Sequence, residues 1–306
     1  MIVLKNRGAI TPTRDQIMPS DLGSHGGNLC ESERVNEMDW AGLLRDQLRK
    51  RARAWAERPG VLAYESRGTP ATTLFQRSPD GGSHGSFFEE AWTAIKANSE
   101  WSHRLEKHHP QRNALPAEYR TSAMELDSSN SSDALLMNCF CYPGASVRFA
   151  RILGTTPVDA IPQFGYPALI QRSHQSPDST EVDMLLSDTF VEAKLTEGDF
   201  TSKSKEMVLR YAALQQVFDV DLLPSDEQNF CSYQLIRNVL AAAQHGKKLI
   251  VLVDFRRPDL LEHWWQVHAA ISGGELRKRC GVRFWQQLTA AADPHHRGLL
   301  QQKYGI

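Results

Sequence analysis

Apolar residues follow two periods along this chain, and the switch between them divides it. From Asp39, Trp40, Leu44, Leu48, Ala52 and Trp55 recur at helical spacing and predict a helix with one apolar stripe. Phe87 to Trp101 reads the same way, with Phe88, Ala91, Trp92 and Ile95 on one side, and Ala134 to Cys139 is helix-like. Between 181 and 194 the pattern changes. Val182, Leu185, Leu186, Phe190 and Val191 favour strands, and Ser187-Asp188 makes a turn, which predicts a hairpin. Helical spacing returns over 203–218 through Met207, Tyr211, Leu214 and Phe218, and residues 222–227 read as a loop. A second helix is predicted over 230–245 with Gly246 as its stop. The nearly unbroken apolar run 248–255 reads as a strand buried on both faces. Arg257-Pro-Asp opens a helix through Trp264 and Ile271, Cys280–Phe284 forms a last strand, and 285–292 is helical.

This order predicts an α/β class, a mixed sheet flanked by helices behind a mainly helical N-terminal region. The expected divisions are a loop-rich, partly disordered 1–36, a helical 37–110 and an α/β core over 111–306. Residues 8–36 and 59–86 are rich in Gly, Ser and Pro and read as connections. The chain carries no repeats and no heptads.

Composition narrows the classes. Hydrophobic residues make up 41%, enough for a proper core. The net charge of −1 excludes a globally basic nucleic-acid binder, so any such surface must be a local patch. The 5 cysteines (Cys30, Cys139, Cys141, Cys231, Cys280) are scattered, and with the 11 histidines they make no zinc spacing. They read as reduced, mostly buried thiols, in keeping with the cytoplasm. The N-terminus is too short in its apolar part for a signal peptide, and the longest apolar run, Leu249 to Val253, is far too short to span a membrane.

The candidate chemistry lies in the hairpin. Glu192 and Lys194 are two apart in a strand and share a face, and the turn brings Asp183 beside them. Two carboxylates and an ammonium at one spot suit a hard divalent cation and a polarised water. The plain alternative is a solvated strand face. On the following helix Gln234, Arg237 and Asn238 are spaced to share one polar face.

Asp183, with Glu192-Ala193-Lys194 after it, resembles the catalytic motif of the PD-(D/E)xK, or restriction-endonuclease-like, nuclease superfamily; Val182 stands where that motif often has proline. The run Tyr233-Gln234-Leu-Ile-Arg237-Asn238 is similar to one in uncharacterised bacterial restriction endonucleases, where it follows the Glu-x-Lys strand. The resemblance implies a magnesium-dependent endonuclease acting on DNA, with Mn²⁺ able to substitute, in restriction or phage defence. It implies that Asp183, Glu192 and the backbone carbonyl of Ala193 hold the metal. Lys194 would orient the water, Gln234 would assist, and a homodimer would cut both strands. Arg237 would contact a phosphate. Arg45, Arg49 and Arg53, one helical turn apart, form either a solvated helix surface or a basic face for the backbone of a nucleic acid. Glu125 and Asp133 are further acids near the expected site. Two readings stay open beside this one: a non-catalytic nucleic-acid-binding or scaffold protein that keeps the fold, and a ribonuclease.

Overall fold

The computed structural model describes residues 38–67, 70–109, 115, 117–120, 122–157 and 161–306. The predicted loop over 8–36, with Cys30, lies outside the described residues. Helix α1 (Trp40–Ala56) leads into β1 (Leu62–Glu65) and β2 (Thr73–Gln76), then α2 (Glu89–Ala97), α3 (Ser99–His103), α4 (Ser132–Phe140) and α5 (Ala145–Leu153). Strand β3 (Pro162–Pro167) precedes the small hairpin β4 (Ile170–Arg172) and β5 (Gln175–Asp178), followed by β6 (Glu181–Leu186) and β7 (Thr189–Ala193). Next come β8 (Lys203–Ser204), α6 (Lys205–Val208), α7 (Leu214–Val217), β9 (Asn229–Phe230), α8 (Tyr233–Gln244) and β10 (Lys248–Val253). The chain closes with α9 (Pro258–Ala269), α10 (Gly274–Arg279), β11 (Cys280–Phe284), α11 (Trp285–Ala291) and α12 (Pro294–Tyr304).

The main sheet has 5 strands in the order β11-β10-β7-β6-β3. β6 runs antiparallel to both its neighbours, β3 and β7, whereas β7, β10 and β11 are mutually parallel. The apolar run of β10 sits inside this sheet. Its Ile250 and Leu252 join Met184, Leu186, Val191 and Ala193 in one layer, with Leu44, Trp92, Leu136, Phe149, Trp285 and Tyr304. Its Leu249, Val251 and Val253 join Val182, Leu185 and Phe190 in the other, with Leu235, Val239 and Trp264 of α8 and α9. Helices therefore cover both faces, as the α/β expectation required. The N-terminal helices α1 and α2 share the first of these cores with the sheet.

The predicted hairpin turns where expected: Leu186 pairs with Thr189 across a left-handed Ser187 (φ 52°). One irregularity matters for the site. Side chains two apart on a strand share a face, yet Val182 and Met184 join different layers. The β3–β6 register passes from Phe164↔Met184 to Tyr166↔Val182, skipping Gly165, which has φ 62°, and Asp183. Asp183 thus stands at a kink in β6.

Several expectations need correcting. The helix expected over 203–218 is broken into α6 and α7. Between them the backbone pairs with the β4 hairpin, Ser173 N to Arg210 O and Ala212 N to Gln171 O, and Tyr211 hydrogen-bonds buried Asp178. Those tertiary partners outweigh the helical spacing. Helix α8 starts at Tyr233, because Phe230 pairs with Lys203 in the small β8–β9 ladder. The connection over 59–86 contains the β1–β2 hairpin. Cys139, Cys141 and Cys280 are free and buried as read, but Cys231 is disulfide-bonded. Among the described residues no helix is long and apolar enough to cross a membrane.

Candidate active site

The three residues of the acid–acid–lysine pattern come together at the end of the β6–β7 hairpin. Continuing the register beyond Met184↔Val191 sets Asp183 across from Glu192. The ladder gives way there to a side chain: Asp183 Oδ2 accepts the Ala193 N–H at 2.7 Å. Lys194 follows directly on β7, and its backbone is fixed from both sides. Its N–H donates to Leu252 O at 2.9 Å, and its carbonyl accepts the indole N–H of Trp285 at 2.9 Å. Its Nζ lies 2.8 Å from Glu192 Oε1, an ion pair off the angle of a good hydrogen bond. The other oxygen, Oε2, accepts from Asn238 Nδ2 at 2.6 Å.

Burial decides the charges. Glu192 and Lys194 are 1% and 6% exposed. Burial alone would raise the Glu192 carboxyl, but the Lys194 and Arg237 charges and the hydrogen bonds to it hold it below the usual range. Burial would likewise lower Lys194; the charges of Glu192, Glu197 and Asp183 outweigh it and raise the ammonium above its ordinary value. Asp183 goes the other way. Hemmed in by protein although part of it reaches the cavity, it is pushed well above the carboxylate range by burial and then by the Glu192 charge.

A cavity of about 820 Å³ opens over this group. Asp183, Ala193, Lys194 and Gln234 line one side, and Arg45 and Arg49 of α1 line another. Gln234 stands in the first turn of α8, and its Oε1 is buried without a hydrogen-bond partner. A larger cavity of about 950 Å³, lined by Arg77, His84, Lys96, His108 and Asp127, shares no residue with it. None of Asp183, Ala193 and Lys194 lines it, so the acid–acid–lysine motif opens onto the smaller one.

Other predicted residues fall differently. Arg237 is 3% exposed and turned inward. It donates to Asn238 Oδ1 from Nε (3.0 Å) and Nη2 (2.9 Å), and from Nη2 to Glu181 O (2.9 Å). It is not free to contact a phosphate; the face read as polar packs on the sheet. Arg53 is also away from the cavity, bonded to both oxygens of Glu65 at 2.5 and 2.9 Å. Asp133 and Glu125 do line the cavity, but each is paired, Asp133 with Arg104 at 2.6 Å and Glu125 with Lys107 at 2.7 Å. Asp133 lies in the first turn of α4 behind the N-cap Ser131.

Sequence reasoning missed two supports of the loop after Lys194. Glu197 accepts Ser132 Oγ–H at 2.6 Å and the Leu195 N–H at 2.7 Å. Arg257, wholly buried, donates to Leu195 O and Gly198 O. No short-range pattern signals the Ser132–Glu197 bond or those of Arg257, since their partners lie tens of residues away.

Among the described residues no group of three or more His, Cys, Asp or Glu side chains forms a metal-ligand set. The fit to a divalent cation rests on hard oxygens instead. Two carboxylates stand close enough for one to raise the other's proton affinity, and a cation between them would relieve that repulsion.

A five-stranded mixed sheet between helical layers, with this hairpin inside it, defines a restriction-endonuclease-like protein. The chain belongs to the family described as restriction endonuclease associating with ARP, whose model matches residues 49–305. No curated protein and no solved structure matches it.

Proposed function

We propose that the protein is a magnesium-dependent endonuclease that hydrolyses phosphodiester bonds of DNA, in the setting of restriction or phage defence. The observation that carries this reading is the buried Glu192–Lys194 ion pair beside Asp183, with Asp183 and Lys194 in the wall of an open cavity. Family membership supports a nuclease-like role independently. Asp183, Glu192 and the Ala193 carbonyl would hold Mg²⁺, with Mn²⁺ able to substitute. When bound, the metal lowers the pKa of water and offsets charge on the phosphate oxygens.

The chain's own groups do the rest. Lys194, kept charged by its acidic neighbours, orients the attacking water and stabilises negative charge developing on the phosphate. Gln234 offers a carbonyl oxygen with no protein partner, suited to accept a hydrogen bond from that water. Arg45 and Arg49 line the cavity and suit phosphates on either side of the scissile bond.

Purified protein should cut plasmid and oligonucleotide DNA with Mg²⁺ or Mn²⁺, poorly with Ca²⁺, and not after chelation. Lys194→Ala should lower the cleavage rate by at least about a hundredfold, the scale for a lost transition-state donor, with DNA affinity kept. Cleavage that survives the chelator, or full activity in Lys194→Ala, would refute the reading. A preference for matched RNA over DNA would move the assignment to a ribonuclease.

A further inference from the structure

The most constrained polar group in the site belongs to no acid and no lysine. Asn238, on α8, is fully buried. Its Oδ1 accepts two N–H groups of Arg237, and its Nδ2 donates to Glu192 Oε2 at 2.6 Å. An amide could in principle face either way. Here chemistry decides, because a guanidinium carries only donors and a carboxylate only acceptors. The oxygen must meet Arg237 and the NH₂ must meet Glu192. Arg237 in turn is fastened to Glu181 O, two residues ahead of Asp183 on the neighbouring strand.

We infer that Asn238 is a positioning residue for Glu192, and that Arg237 is the anchor that fixes Asn238. The inference rests on the proposed nuclease reading, in which Glu192 is a metal ligand. The relay runs from the β6 backbone through α8 to the β7 carboxylate, so it ties together the two strands that carry the acids. It also divides the work at Glu192. Lys194 approaches Oε1 and Asn238 holds Oε2, which stops rotation of the carboxylate. Each oxygen has a second lone pair, so the grip leaves room for a cation. A guanidinium bonded in this fork cannot serve a phosphate, and so its charge works on the site from within.

The test uses the full chain and Mn²⁺ alone as probe. Isothermal titration of Mn²⁺ into wild-type, Asn238→Ala and Arg237→Lys protein is compared after circular dichroism confirms folding. Loss of a partner that orients a metal ligand weakens metal binding by about 10–100-fold. Asn238→Ala should fall in that range. Arg237→Lys keeps a charge but loses the fork, so it should weaken Mn²⁺ binding less than Asn238→Ala does, yet by more than about twofold. In cleavage assays the metal concentration for half-maximal rate should rise in parallel while KM for DNA stays unchanged. Asn238→Gln, which keeps the donor, should recover part of the Mn²⁺ affinity. If folded Asn238→Ala, or Arg237→Lys where the alanine variant does not fold, binds Mn²⁺ within about twofold of wild type, the positioning role is overturned and the nuclease reading stands. If wild type neither binds Mn²⁺ nor cuts DNA, both fall together.

Discussion

Glu192 has protein partners at both carboxylate oxygens, whereas Asp183 receives a single backbone N–H among the described residues. That asymmetry separates their roles. Glu192 is held in orientation with its carboxyl below the usual range, whereas burial and the Glu192 charge push Asp183 well above it. Gln234 is the third distinct case. Its Oε1 is buried and unpartnered, so it contributes little to the fold and is available for function. Gln234→Ala should therefore slow cleavage by about a hundredfold, as expected when a nucleophile is slightly misplaced, with the melting temperature hardly changed. A variant that cuts at the wild-type rate would reduce the start of α8 to scaffold.

At the scale of elements, readability followed the strength of local signals. The β6–β7 hairpin and β10 were visible because strand-favouring apolar residues flank a turn or run unbroken. The positions of Asp183, Glu192 and Lys194 on neighbouring strands could be foreseen from the side-chain period of two. The kink at Asp183 could not, since it depends on Gly165 on β3, a Gly/Pro-rich strand with weak propensity. Nor could the inward turn of Arg237, which is set by packing of α8 on the sheet. Helix α12 was missed for a similar reason: its sequence Pro-His-His-Arg-Gly carries few apolar residues, yet its N-cap Asp293 accepts the His296 N–H at 3.0 Å.

Helix α12 carries its own pH dependence. His296 is wholly buried, stacked on Tyr142 at 3.9 Å, with Nε2 3.2 Å from Asn138 O and Nδ1 unpartnered. Burial pushes its pKa down to about 4. The unfolded chain takes up a proton near pH ~6.5, before the folded one does. This stabilisation is complete above that value and is lost as pH falls towards about 4. It amounts to about 3 kcal/mol at most. Denaturant midpoints measured from pH 7 to 4 should fall less steeply in His296→Phe than in wild type; equal slopes would show that another group carries the effect.

For the whole molecule, a net charge of −1 means that under the proposed function DNA would be drawn by local cations. Helix α1 would supply them: it packs into the same core as the sheet, which brings Arg45 and Arg49 to the cavity and leaves Arg53 paired with Glu65. Arg45→Ala and Arg49→Ala should each weaken DNA binding and reduce the log–log salt slope by about 1. Arg53→Ala should bind like wild type. Equal losses in all three would indicate a diffuse basic face in place of a cavity wall.

The proposed mechanism depends on one cation bridging the two acids. Crystals soaked in Mn²⁺ and measured at a wavelength where manganese scatters anomalously address it most directly. The predicted result is an anomalous peak bonded to the carboxylates of both Asp183 and Glu192, with Lys194 Nζ beside it and no peak there in Asp183→Ala. A saturating soak that leaves that position empty, or an ion bound only elsewhere, would contradict it.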